Sequence, residues 1–154
     1  TIATVHLDSL YCREERSLQL QIIARFLNQF KASILVGDMN FDDCKSFDTK
    51  DTRPLENNIF TDDPVVNNLL DIWPMLMPSD PGKTFDPSAN QMIKQRPASH
   101  CMRYDRVLVQ KNQVILTPVS IEMIGLRNIG TSEQPIFPSD HFGLTAVFKY
   151  HHTN

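Results

Sequence analysis

Two short segments of this 154-residue chain put groups capable of acid, base or phosphate-binding chemistry side by side: Gly37-Asp38-Met39-Asn40 and Ser139-Asp140-His141. An aspartate can orient and deprotonate a water, and an asparagine two residues on, pointing the same way along an extended chain, can hold a phosphoryl oxygen. A histidine beside a carboxylate is held in one tautomer and charged more easily, which suits stabilising a phosphorane or protonating a leaving group. Each segment also has a plain structural reading. Gly-Asp-x-Asn is turn chemistry, and Ser-Asp-His can be a loop or cap cluster whose histidine satisfies a backbone carbonyl. His6 and Asp105 add two further candidates. The first lies on an apolar strand, facing away from Val5 and Leu7. The second sits in Arg103-Tyr104-Asp105-Arg106, where its simplest reading is an ion pair with the flanking arginines.

Positioning these groups falls to a small set of elements. Residues 1–7 are apolar and β-branched and predict a strand that begins with no preceding turn or cap. Over 13–30, Leu20, Ile23, Leu27 and Phe30 recur at helical spacing, with Ile22 and Phe26 widening the stripe and Arg16, Gln19 and Gln29 on other faces. Residues 32–36 form a short apolar run ending at Gly37, a buried strand. Strand, helix and strand predict a right-handed crossover, with Asp38 and Asn40 at the C-terminal rim where α/β sheets place their sites.

Further on, 41–68 reads as a polar surface excursion with a helical turn or two, 69–77 as a short buried element broken by Pro74, and 78–97 as loop. Strands are expected over 103–109, 114–124 and 142–150, the first two joined by the Lys111-Asn112-Gln113 turn as an antiparallel pair.

Composition bounds the partners. With 41% hydrophobic and 21% charged residues the chain is an ordinary globular one, and its formal net charge of −3 supplies no global field for a polyanion. No apolar run is long enough for a membrane helix. Cys12, Cys44 and Cys101 are odd in number and lack zinc spacing, which favours a reduced intracellular setting, nuclear or cytoplasmic.

Taken together, the order His6-Leu7-Asp8-Ser9, Gly37-Asp38-Met39-Asn40, Tyr104-Asp105-Arg106 and Ser139-Asp140-His141 resembles the endonuclease/exonuclease/phosphatase superfamily. Glu15-Arg16, Asp71-Ile72-Trp73, Lys83-Thr84-Phe85-Asp86, Met102-Arg103-Tyr104-Asp105-Arg106 and residues 137–144 look like its 5′-tyrosyl-DNA phosphodiesterase branch. The resemblance implies an α/β fold, here half of a four-layered sandwich with a mixed, mostly antiparallel sheet and one long amphipathic helix. It also implies magnesium-dependent hydrolysis of the bond between a trapped topoisomerase tyrosine and a DNA or RNA 5′-phosphate.

Carried over position by position, the resemblance makes Asp38 the group that orients the attacking water and Asn40 the phosphate binder. His141 stabilises the transition state, supported by Asp140 and His6. Phe85 stands where the branch usually has tryptophan and would pack on the nucleic acid, while Arg16, Arg103, Asp105 and Ser139 are weaker candidates for substrate contacts. The superfamily's magnesium-binding glutamate precedes any residue here, leaving Asp140 as a possible ligand. Residues 1–154 are therefore expected to be the C-terminal half of one domain, inactive alone and completed by a second half. Alternatives are another phosphodiesterase or phosphatase of the superfamily, acting on an inositol phosphate, sphingomyelin, abasic DNA or poly(A), or a non-catalytic interaction module.

Overall fold

The computed structural model describes residues 1–9, 11–94 and 96–152. Strand β1 (Ile2–His6), helix α1 (Arg13–Leu27) and strand β2 (Ile34–Asp38) form the expected crossover, with β1 and β2 parallel in register from Ile2 opposite Ile34 to His6 opposite Asp38. The helix ends three residues before Phe30. Its buried face is Arg16, Leu20, Ala24 and Leu27, while Ile22, Phe26 and Phe30 are exposed. The apolar residues of α1 exceed what one sheet face can cover, and the four-residue row through Leu20 is the one that meets the sheet.

The polar stretch after β2 is not purely a surface excursion. It folds into helical turns at Glu56–Asn58 and Val66–Asn68 flanking α2 (Ile59–Asp62), and Phe41, Phe60 and Val66 join Leu20, Leu27, Leu35 and Leu108 in the core beneath α1. Strand β3 (Leu69–Asp71) then runs directly into α3 (Ile72–Leu76). Pro74 does not break this element. It falls in the first helical turn, where its missing N–H has no partner to lose, and the Asp71 carboxylate caps the helix by accepting the Trp73 N–H at 3.1 Å.

Strand β4 (Asp105–Gln110) pairs antiparallel with β2 on one side and with β3 on the other, giving a four-stranded sheet in the order β1-β2-β4-β3. With both edges of β4 occupied, β5 (Leu116–Ile124) cannot pair with it as the 111–113 turn predicts. The turn instead carries the chain to a second sheet, where β5 pairs antiparallel with β6 (Gly143–Tyr150). This hairpin packs on the sheet face opposite α1, through Ile121 against Ile34, Val107, Val109, Ile72 and Trp73. The layers are therefore helix, mixed sheet and hairpin, as the α/β sandwich reading requires, and no helix among the described residues is long and apolar enough to cross a membrane.

Candidate active site

Strand register builds the first part of the site. His6 is the cross-strand neighbour of Asp38, and Asp38 is the neighbour of Asp105, so one row across β1, β2 and β4 lines up an imidazole and two carboxylates at the sheet's rim. His6 Nε2 lies 3.6 Å from Asp38 Oδ2 and is 74% exposed, so it borders solvent. His141 enters from the segment before β6, its Nδ1 2.8 Å from Asp105 Oδ2 and 3.9 Å from Asp38 Oδ2.

This geometry reassigns several residues. Asp105 is not paired with its flanking arginines; it is the partner of His141. The adjacent Asp140 is exposed, accepts the Ser139 hydroxyl at 3.2 Å and, among the described residues, acts on His141 through its charge. Ser139, expected at the substrate, spends its hydroxyl locally, also accepting the His141 N–H at 3.2 Å.

Arg16 is buried and its guanidinium forms a two-bond pair with Glu56 at 2.7 Å; Arg103 is buried between Asp71 at 2.7 Å and Asp43 at 3.0 Å. Both brace the frame: expected as substrate contacts, they stand here in ion pairs within the protein, as a buried charge requires. Arg106, fully enclosed and stacked 4.6 Å over Phe41, donates to Asn57 and to the Phe41 carbonyl.

Asn40 is not on extended chain. Its φ is +55°, a left-handed turn that asparagine tolerates, locked by its N–H donating to Asp38 Oδ1 at 2.7 Å and its Nδ2 donating to the Leu7 carbonyl at 2.7 Å. One N–H of that side-chain amide remains for a ligand oxygen. Gly37 permits the approach of β1: at φ +133°, a Cβ there would sit 1.9 Å from the Val5 carbonyl oxygen.

Burial, partly offset by the Asn40 N–H, pushes the Asp38 carboxyl above its ordinary value, with the Asp105 charge adding to the rise. For His141, burial works against the charge, yet the hydrogen bond and charge of Asp105 outweigh it and raise the pKa. The pair thus combines a more basic carboxylate with a readily protonated imidazole.

Sequence reading missed two buried anchors. Thr84 Oγ1 accepts the Asp105 N–H at 3.0 Å, and Asn90 Nδ2 donates to the Ser139 carbonyl at 2.9 Å, tying the loop of His141 to the body. Both lie in a Pro- and Asp-rich stretch with no periodicity to mark them. Phe85 sits against the site, its ring centroid 5.2 Å from that of His141 and 5.5 Å from that of Tyr104.

Asp38, Asp105 and His141 bring ligand atoms within 4.8 Å of one another, a group that could hold a metal ion. Magnesium takes oxygen donors, so it would draw on the carboxylates and leave the imidazole with its proton-handling role.

A D. rerio TDP2 structure complexed with single strand DNA product superposes on this chain with a TM-score of 0.69 at 23% identity, covering 95% of this chain and 54% of that one. An endonuclease/exonuclease/phosphatase from Bacteroides vulgatus superposes with a TM-score of 0.60 at 18% identity, over 95% of this chain and 48% of that one. The chain has the endonuclease/exonuclease/phosphatase fold. Within it, the sequence resembles tyrosyl-DNA phosphodiesterase 2 of Mus musculus, 31% identical over 84 residues, which are 54% of this chain and 22% of that protein. The chain thus spans about half the length of the solved chains that share its fold. No protein-family model matches it.

Proposed function

We propose that residues 1–154 are the C-terminal half of a magnesium-dependent phosphodiesterase that cleaves a 5′-phosphotyrosyl bond joining a trapped topoisomerase tyrosine to a DNA or RNA end, in the nucleus or cytoplasm. One observation carries the reading: the Asp38–Asp105–His141 cluster, with the Asp105–His141 contact at 2.8 Å, stands at a sheet rim beside Asn40. Two carboxylates side by side in one strand row, met by an imidazole from the segment before β6, suit hydrolysis at phosphorus better than a purely structural turn.

In this reading Asp38 holds the attacking water and takes its proton. Asn40 offers its remaining amide N–H to a phosphoryl oxygen, and His141, whose charged form the Asp105 carboxylate favours, stabilises the negative charge that builds there. His6 and Asp140 tune the field from the rim. Phe85 presents an aromatic face to the nucleic-acid end. The carboxylates of this rim would complete a magnesium site whose main ligand comes from the other half of the domain, and the ion would supply neutralisation of phosphate charge. The likeness to a tyrosyl-DNA phosphodiesterase supports this substrate over the other esters hydrolysed on the same fold.

The test is hydrolysis of a 5′-phosphotyrosyl oligonucleotide in magnesium by the chain joined to its complementary half. An inositol phosphate, sphingomyelin, an abasic duplex and poly(A) serve as competitors. Turnover of the phosphotyrosyl end, lost in Asp38→Asn and His141→Asn, is expected. Undiminished turnover in those variants would overturn the roles, and preference for a competitor would overturn the substrate.

A further inference from the structure

Asp105 and His141 belong to different sheets. Asp105 opens β4, and His141 lies just ahead of β6, which pairs with β5 in the second sheet. Among the described residues no strand ladder links β4 to β6, so none sets the 2.8 Å contact between carboxylate and imidazole. Apolar packing of one sheet on the other leaves such a spacing soft, because burial has no direction, whereas hydrogen bonds fix distance and angle.

The bonds that fix it converge on Thr84, which is fully buried. Its Oγ1 accepts the Asp105 N–H at 3.0 Å and the Tyr104 N–H at 3.2 Å, and its carbonyl accepts the N–H of Phe142, the residue after His141, at 2.8 Å. The Tyr104 carbonyl in turn accepts the N–H of Met39, between Asp38 and Asn40, at 2.9 Å. One threonine thus holds the arm of the carboxylate with its side chain and the arm of the imidazole with its backbone. The Asp38–Asn40 turn is one bond further on. A hydroxyl oxygen has two lone pairs, and here both serve amides 20 and 21 residues away, where local turn chemistry would spend them on near neighbours. On the far side of His141, the buried Asn90 amide donates to the Ser139 carbonyl at 2.9 Å, so the imidazole segment is tethered before and after the ring.

We infer, resting on the phosphodiesterase reading, that Thr84 is a positioning residue for the hydrolysis: its hydroxyl fixes Asp105 against His141 and thereby aims the imidazole at the phosphoryl oxygen. A shift of about 1 Å in a catalytic group can cost on the order of 10²-fold in rate, so a hydroxyl that touches no substrate governs turnover.

The experiment uses the chain joined to its complementary half, as wild type, as Thr84→Val, which keeps the shape and deletes the acceptor, and as Thr84→Ser, which keeps the acceptor. With the 5′-phosphotyrosyl oligonucleotide, Thr84→Val is expected to lower kcat by about tenfold to a hundredfold while KM stays within about twofold, and Thr84→Ser to recover most of the loss. In an Asp105→Asn background, where the dyad is already broken, Thr84→Val should lower kcat far less than it does in the wild type. A second readout needs neither substrate nor metal. At one fixed pH, the His141 Nδ1 proton held on Asp105 should give a downfield proton NMR resonance that moves upfield in Thr84→Val and returns in Thr84→Ser. An absent phosphotyrosyl activity in the wild type with this NMR pattern intact would sink the phosphodiesterase reading and leave the placement of the dyad by Thr84 standing. Unchanged kcat in a folded Thr84→Val, an equal loss in both backgrounds, no recovery in Thr84→Ser, or an unmoved resonance would each overturn the inference. Circular dichroism checks folding, and Thr84→Ala carries the same comparisons if Thr84→Val does not fold.

Discussion

His141 Nδ1 lies 2.8 Å from a carboxylate oxygen of Asp105, 36 residues earlier in the chain, while its sequence neighbour Asp140 points to solvent. The contact holds the imidazole in place and raises its pKa. The raised value means that His141 stabilises the fold in its protonated form, fully below the ordinary histidine pKa and progressively less as pH climbs through the raised one. Asp105→Asn should lower the His141 titration midpoint, followed by the ring proton shifts in NMR. It should also move the alkaline limb of the pH–rate profile to lower pH. An unchanged midpoint would mean that Asp105 does not set the charge of His141.

Asp38 is held above its ordinary value chiefly by burial. A raised carboxyl pKa means that the folded state binds the proton more tightly than the unfolded one, so ionising Asp38 costs stability as pH rises. Asp38→Asn is therefore expected to preserve or raise the thermal midpoint at neutral pH while lowering kcat by about 10² to 10⁴. In the wild type, activity should fall on the acid side at a higher pH than an ordinary aspartate would give. Paired calorimetry and rate measurements check both halves of the statement.

Beneath the site, the Asp42 carboxylate is buried. It accepts the Arg103 N–H at 2.7 Å, the Cys44 N–H at 3.0 Å and the Lys83 ammonium at 3.0 Å. Burial opposes its charge, but the Cys44 thiol, 3.0 Å from Oδ1, and these donors prevail and hold it well below the carboxylate range. Its contribution to stability is therefore complete above the ordinary aspartate pKa and drains away as pH falls toward the lowered one. Asp42→Asn should cost roughly 1–3 kcal/mol at neutral pH, because it removes the nearer of the two carboxylates around the Lys83 ammonium, Asp43 being the other at 3.5 Å, and weakens the charge-assisted bonds from the Arg103 and Cys44 N–H groups. Urea unfolding at several pH values should show a flatter acid dependence in the variant.

Gly37 offers a purely steric test. A methyl group there meets the Val5 carbonyl oxygen at 1.9 Å in a backbone region closed to L side chains, so Gly37→Ala must part β1 from β2 next to His6 and Asp38. The expected loss is about 2–4 kcal/mol in denaturant unfolding, with hydrogen exchange accelerated in β1.

Much of this was legible in the residues themselves. The strand–helix–strand unit, the placement of Asp38 and Asn40 after β2, and the placement of His141 before β6 all follow from local periodicity and turn chemistry, which act between near neighbours. Tertiary structure alone decided the rest. Two apolar rows run along α1, and only the sheet's position selects Leu20, Ala24 and Leu27 for burial. Strand β4 reads like half of a hairpin with β5, yet β2 and β3 take both its edges. Arg16 and Arg103 carry no mark of burial until Glu56, Asp43 and Asp71 close on them. Asp105 becomes the partner of His141 because register sets it beside Asp38 at the rim where the β6 loop arrives. Long-range pairing of this kind depends on how edges and faces compete for partners, and local sequence does not encode that competition.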